Sequence, residues 1–473
     1  MRRIYILGLI IVSILLGTWS INRLCMNAYL SEEYSIGNGR IDEIVAKEYS
    51  SENATKEYIT GEEPKESLKQ EQIIEKTTTE GKEYLGEEAT IENLEHGHIE
   101  EITDEINVTM YGVKGDGISD DTKAINVILK ENAGKEIYFP AGTYIIDDKL
   151  IVYSDTIIKG DGENTVFLSK NGKKAGTEVF QIKDSENILI EKICVSGNSA
   201  VNNGELYNDK DGIHLLDMWN VTNIIVNECS FINNIYCGIR IFGGKDITIQ
   251  NSNFLDVDCG IVALGIYNIS NLMIESCYFN GHNRSEAISL YGQGVYENIN
   301  IHNNVIANKS DGHGILINDN SINQNIVIDG NLISGCAVGI SIFQLTNGSV
   351  FNNKVDGTTS GRGIEVYNCK DTSVNNNEIL NTNFDSLSIK GCVNCDFMGN
   401  HIFITANAAN KDMAGIKVLE GCKQVTISNN IIQQVEESLN KYSIYIKENG
   451  EVDISGNQLN DLPIYSSDKK KLN

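Results

Sequence analysis

One short pattern returns eleven times between Asn187 and Glu451, and it constrains the fold of this chain more than any other feature. The copies begin at Asn187, Asn223, Asp246, Asn271, Asn298, Asn325, Asn347, Asp371, Asn394, Gln424 and Glu451, at intervals of 22 to 36 residues. Clear examples are NINIHNNVI from Asn298 and NIVIDGNLI from Asn325. A period in the twenties with one strand per unit is the mark of a solenoid, in which each repeat is buried by its neighbours. Apolar residues alternate along each copy, which sends one face of the strand inward. Aligning the copies puts Asn304, Asn331, Asn353, Asn377, Asn400, Asn430 and Asn457 in one column. Asparagine tolerates left-handed backbone and bonds neighbouring backbone, so the column predicts an internal ladder at a sharp bend. Between the copies runs a second strand series that usually opens Gly-Ile, as in GIRIF, GILIN and GIEVY. With 43 Gly against 3 Pro, the pattern predicts an all-β fold: a parallel β-helix of two or three strands per coil.

The ends differ from this body. An uncharged, mostly apolar run from Ile4 to Asn22 is long enough to cross a bilayer, and it predicts a membrane anchor or signal over residues 1–30. Arg2 and Arg3 would keep the N-terminus inside, so the body is expected outside the cell, at the surface or secreted if the segment is cleaved. Residues 31–105 hold 22 acidic against 7 basic side chains, which is −15 of the total formal charge of −27. Without lasting apolar period, this reads as a disordered, self-repelling acidic linker. The β-helix is expected over residues 106–465, followed by a short basic tail at 466–473. So acidic a chain excludes nucleic acid as a partner, because no basic face neutralises phosphates. Most of the 11 cysteines recur at equivalent repeat positions (Cys229 with Cys277; Cys369, Cys392 and Cys422), which suits stacked small side chains inside a coil better than disulfides. Cys392 and Cys395 form a lone C-x-x-C with no second half.

Upstream of the repeats stands NVTMYGVKGDGISDDTKAINVILKENAGKEIYFPAGTYII, from Asn107. It resembles the opening of the pectate-lyase-like superfamily, which includes polygalacturonases, rhamnogalacturonases, mannuronan epimerases, polysaccharide lyases and phage tailspikes. The resemblance covers about residues 107–465 and implies a right-handed parallel β-helix with an N-terminal capping helix. Asp120 or Asp121 is a candidate cap for that helix, which starts near Thr122 and presents Ala124, Ile125, Ile128 and Leu129 on one face.

Relatives of this kind act on polysaccharides along one sheet. Taking Ile213, Ile239, Ile261, Ile288, Ile315, Ile340 and Ile364 as inward, the next residues point out, among them His214, Arg240 and Glu365. Two further along come Phe242, Tyr291, Phe343 and Tyr367, whose rings offer flat surface to sugars or else shield the sheet beneath a loop. Two before each inward residue come Asp211, Glu286, His313 and Arg362, with Arg284 two before Glu286. Polygalacturonases place NTD, DD and GHG on successive coils. Here Asp211 stands at the NTD position, Tyr236-Cys237 and Asp258-Cys259 replace DD, and Gly312-His313-Gly314 comes four coils after Asp211. The epimerase DPHE signature is absent. The tightest cluster is Glu286 and His313 on adjacent coils, with Arg362 and Glu365 beyond. A uronate lyase or epimerase needs a base, here His313 or Glu286, and a cation for the enolate-like charge, here Arg240, Arg284 or Arg362. Asp209, Asp211 and Asp217 are candidate calcium ligands. The sequence is expected to encode a polysaccharide lyase or glycoside hydrolase for an acidic glycan; the alternative is a noncatalytic glycan-binding or surface-structural β-helix protein.

Overall fold

A computed structural model describes residues 105–467, except 172–177, 200–212, 266, 282–284, 319–320, 405–412, 436–440, 448–450 and 460–461. The expected anchor, the linker up to residue 104 and the tail from residue 468, together with Asp209, Asp211 and Arg284, lie outside the described residues. No helix among the described residues is long and apolar enough to cross a membrane.

Strands run from Ile106–Asn107 to Ile464–Ser466, and every pairing between them is parallel. They fall into three stacks per turn of the solenoid. The first holds the repeat pattern, for instance Val295–His302 on Ile322–Asp329. The second follows the Asn column, as in Val305–Ala307 on Leu332–Cys336. The third is the Gly-Ile series, as in His313–Ile317 on Val338–Phe343. Two long strands, Ser230–Ile241 and Asn253–Gly265, run through the second and third stacks without a break. Because each strand pairs one turn along the chain, identical positions superpose. Inward Ile224, Ile247, Leu272, Ile299 and Ile326 form one wholly buried row, and Phe231, Phe254 and Phe279 stack with centroids 5.2 and 4.6 Å apart.

Left-handed backbone also recurs in register. The first residue of a copy takes positive φ from Asn187 (56°) to Gln424 (50°). So does the residue before the Asn column, whether Asn303 (54°), Asn352 (56°) and Asn376 (55°) or Gly330 (62°) and Gly399 (65°). The column residues themselves are not left-handed, which corrects half of the reading above. Their side chains form the expected ladder: Asn353 Oδ1 accepts from Asn331 N at 3.0 Å, and Asn353 Nδ2 donates to Asn377 Oδ1 at 3.0 Å and Ile328 O at 2.9 Å. The bend is made one residue earlier, and the column secures it.

The one described α-helix, α1 (Thr122–Glu131), buries Ile125, Ile128 and Leu129 in the core. Of the two candidate caps, Asp121 makes no side-chain cap bond to the helix, and Asp120 takes its first N–H. The Asp121 carboxylate instead accepts from Lys114 N at 2.9 Å and Gly115 N at 3.0 Å, while Asp120 reaches Thr122 N at 3.1 Å. The preceding turn offers Asp121 two unsatisfied amides, and those take it.

The ten cysteines among the described residues are free and buried; Cys229, Cys277, Cys392, Cys395 and Cys422 belong to the core. Burial pushes the Cys229 and Cys277 thiols up to about 12.

Candidate functional site

The third stack owes its chemistry to a break in alternation. In a regular strand, residues two apart share a face. Here the residue before each Gly-Ile pair points outward, Gly and Ile both face the core, and the next residue points outward again. Little room exists for a side chain at the glycine: a Cβ on Gly260 would come within 2.5 Å of the Phe279 ring, and one on Gly363 within 2.4 Å of Ile379. Alanine and serine fill the same place at Ala287 and Ser386. Three outward positions per coil result, and they stack into three columns.

In the first column stand His214, Cys237, Cys259, Glu286, His313, Val338, Arg362 and Asp385. The second holds Asp217, Arg240, Val262, Ser289, Leu316, Ser341, Glu365, Ser388 and Lys417. Trp219, Phe242, Leu264, Tyr291, Asn318, Phe343, Tyr367 and Lys390 make the third. The earliest coil departs from the expected register. Leu216, not Ile213, pairs with Ile239, and Asp217 pairs with Arg240. His214 therefore moves from the second column to the first, and Trp219 takes the place beside Phe242. The bend there falls at Leu215–Leu216 with no glycine to mark it, so the earlier Gly212 misled the alignment.

Two ionic clusters result, separated by an apolar patch of Cys237, Cys259 and Val262. In the first, Arg240 Nε donates to Asp217 Oδ1 at 2.7 Å and Arg240 Nη2 lies 3.8 Å from Glu178. Trp219 Nε1 donates to Asp217 Oδ2 at 2.5 Å, and Trp219 stacks on Phe242 at 3.7 Å. Asp217 is wholly buried with its oxygens taken by Arg240 and Trp219, so it does not fit a calcium ligand. Among the described residues, no group of three or more His, Cys, Asp or Glu side chains is placed to hold a metal ion.

The second cluster brings together Glu286, His313, Arg362 and Glu365. His313 Nδ1 lies 3.6 Å from Glu286 Oε1, an ion-pair separation too long for a hydrogen bond, and Ser285 Oγ donates to Glu286 Oε2 at 2.6 Å. Arg362 Nη1 donates to Glu365 Oε1 at 2.7 Å, Ser341 Oγ donates to Glu365 Oε2 at 2.7 Å, and Arg362 Nε lies 3.4 Å from Asp385 Oδ2. Burial works to raise the Glu286 carboxyl, but the adjacent His313 and Ser285 outweigh it and hold it below the ordinary range. Burial likewise opposes Glu365, and Arg362, with help from His313 and Ser341, holds it low. Both carboxyls are thus kept ionised. Arg240 belongs to the other cluster and is not brought near His313.

The rings are less open than the groove reading required. Phe242, Tyr291 and Tyr367 are 8, 6 and 5% exposed, while Phe343 is half-buried. Arg240 lies over Phe242 at 4.5 Å, and the Tyr367 and Ser388 hydroxyls are 3.1 Å apart. These rings line the outer face chiefly as a packed support for the charged side chains. Sequence reasoning gave no role to Asp385, Ser341, Trp219 or the wholly buried Lys309, whose Nζ donates to Val257 O at 2.6 Å and Asp258 O at 3.1 Å. Ser341 is outward as its place in the Gly-Ile series implies, and Asp385 was recoverable, since it occupies a column position already counted on neighbouring coils.

Comparison with known proteins agrees with this architecture. The profile of the rhamnogalacturonase A/epimerase, pectate lyase-like family matches residues 105–361. The chain belongs to that family. The preneck appendage protein of Bacillus phage PZA is 25% identical over 277 residues, covering 56% of this chain and 30% of that protein. The chain thus spans about a third of the length of that relative. Among solved structures, the Streptococcus pneumoniae surface adhesin PfbA superposes with a TM-score of 0.54 at 18% identity, over 77% of this chain and 93% of the adhesin. The family 28 exopolygalacturonase of Yersinia enterocolitica gives 0.53 at 14% identity, over 74% and 78%. At these identities the superpositions speak for the fold alone.

Proposed function

We propose that this family member binds an acidic polysaccharide across the third stack and acts on it as a lyase or epimerase, with Glu286, His313, Arg362 and Glu365 as its working cluster. The observation that carries the reading is the geometry: His313 Nδ1 stands 3.6 Å from Glu286 Oε1 and Arg362 Nη1 2.7 Å from Glu365 Oε1 on one outer face, with both carboxyls held below their ordinary range. A glycoside hydrolase needs one carboxyl raised enough to donate a proton, and neither of these is raised. Removing the proton beside a uronate carboxylate needs instead a base and a nearby cation. His313 is the base in this reading, Glu286 orients it, and Arg362 steadies the charge that develops on the substrate carboxylate. Phe343 and Tyr367 support the cluster from the third column. Helix α1 covers the first coil as a cap, and residues 4–22 hold the body at the outer cell surface.

A noncatalytic binder is the second reading. It is favoured by Arg362, which already faces both Glu365 and Asp385 and would have to share itself with substrate. The two separate on a panel of acidic polysaccharides assayed for unsaturated products, new reducing ends and epimerised residues. Binding without any of these changes leaves the second reading, and no binding to any acidic polymer sinks both.

A further inference from the structure

Beyond the ionic cluster, the outward columns continue into a group of aromatic and basic side chains. The second column runs Glu365, Ser388, Lys417, Tyr445 and Tyr465, each paired with the next. Tyr442 joins from the first column, since it pairs with Ala414 on the coil before. The Tyr445 and Tyr465 rings stack at 4.8 Å and 10°, and Tyr442 lies 5.4 and 5.3 Å from them. Tyr465 is 40% exposed, and Tyr442 and Tyr445 are half-buried.

The charges around these rings favour an anion. Lys417 lies 5.7 Å over Tyr445 and 3.6 Å from Asp385, while Lys390 and Lys447 share the single carboxylate of Glu420 at 3.6 and 3.4 Å. Among the described residues, the ion pairs joining this region to the cluster bring Arg362, Lys390, Lys417 and Lys447 together with Glu365, Asp385 and Glu420, a concentration of cations on a chain of net charge −27. Lys447 has a half-exposed side chain, at 53%.

We infer that Tyr442, Tyr445, Tyr465 and Lys447 form a second subsite, for a uronate unit of an oligosaccharide whose other end lies at the Glu286–His313–Arg362 cluster. This rests on the reading of that cluster as an acidic-glycan site. Four strand steps separate Glu365 from Tyr465 and six separate the His313 coil from it, roughly 19 and 29 Å at the spacing of neighbouring strands, so one oligosaccharide longer than a trimer spans both. Rings supply stacking surface for the sugar and Lys447 meets its carboxylate.

The test uses the whole chain in detergent and oligogalacturonates and oligomannuronates of increasing length, with affinity read by calorimetry. Oligomers long enough to reach both places should bind more tightly than trimers. Tyr465→Ala and Lys447→Gln should each weaken the long oligomers by roughly three- to tenfold and leave trimers unchanged, while Tyr465→Phe keeps most of the gain. A length gain untouched by Tyr465→Ala and Lys447→Gln overturns the subsite and spares the cluster. A loss uniform across all lengths also overturns it, because it marks general destabilisation. Failure of every oligomer to bind the parent chain removes the cluster reading and this one together.

Discussion

Replacing His313 by alanine removes the imidazole 3.6 Å from the Glu286 carboxylate, and it should abolish turnover while glycan binding survives. A base acts on the transition state more than on bound substrate, so the loss belongs in kcat and is measured by initial rates beside a binding isotherm. Stability responds to other residues. Asn377 accepts from Asn353 and donates to Val350 O and Asn400 Oδ1, all buried. Asn377→Ala should therefore cost roughly 1–3 kcal/mol in urea unfolding, the penalty of buried partners left unpaired. Acid should destabilise the fold in two stages. His214 is wholly buried, and burial, with Arg240 nearby, keeps it neutral well below its ordinary 6.5. Only the unfolded chain takes up that proton, so stability falls as pH drops below about 6.5. Glu286 and Glu365 lie below their ordinary 4.5, so their contribution is complete above that value and is lost as pH falls through the lower folded values. His214→Phe should erase the first stage and leave the second, as read from melting temperature against pH. The residue types at the cluster were legible in the sequence. The pairings were not, because Asp385 reaches Arg362 from the coil beyond and Asp217 reaches Arg240 from a coil whose register no glycine marks.

At the scale of one strand, function depends on the place where alternation breaks. Gly363 sits between Arg362 and inward Ile364, and a Cβ there meets Ile379 at 2.4 Å and Ser386 O at 2.5 Å. Gly363→Val should destabilise by about 1–3 kcal/mol through overpacking, seen as a lower urea midpoint at unchanged slope. It should also lower activity, because the same bend turns Arg362 and Glu365 to one face. The Gly-Ile pairs announced this element plainly. What they concealed was the direction of the preceding residue, since strict parity sends it inward and only crowding against Phe254, Phe279 or Ile379 shows why the glycine takes the inward place instead. The Asn column shows the same limit: the ladder was readable from register, while the left-handed residue one step earlier emerged from the backbone.

For the whole molecule, a solenoid predicts a body that needs no contact with what precedes it. A fragment from residue 105 onward should remain soluble, show mainly β circular dichroism and melt cooperatively; a helical or unfolded spectrum would refute the independence of the coils. Periodicity alone determined that this chain stacks strands in parallel and that the inward isoleucines and the Asn column recur in register, because in-register coils translate sequence spacing directly into spatial neighbours. Tertiary structure decided the rest: that Phe242, Tyr291 and Tyr367 are packed rather than open, that Arg362 and Arg240 serve different clusters, and that Tyr442, Tyr445 and Tyr465 gather into one group. The physical reason is that burial and ion pairing depend on distances between coils whose lengths vary. A shift of three residues in one coil replaces every outward neighbour while leaving the apolar pattern intact.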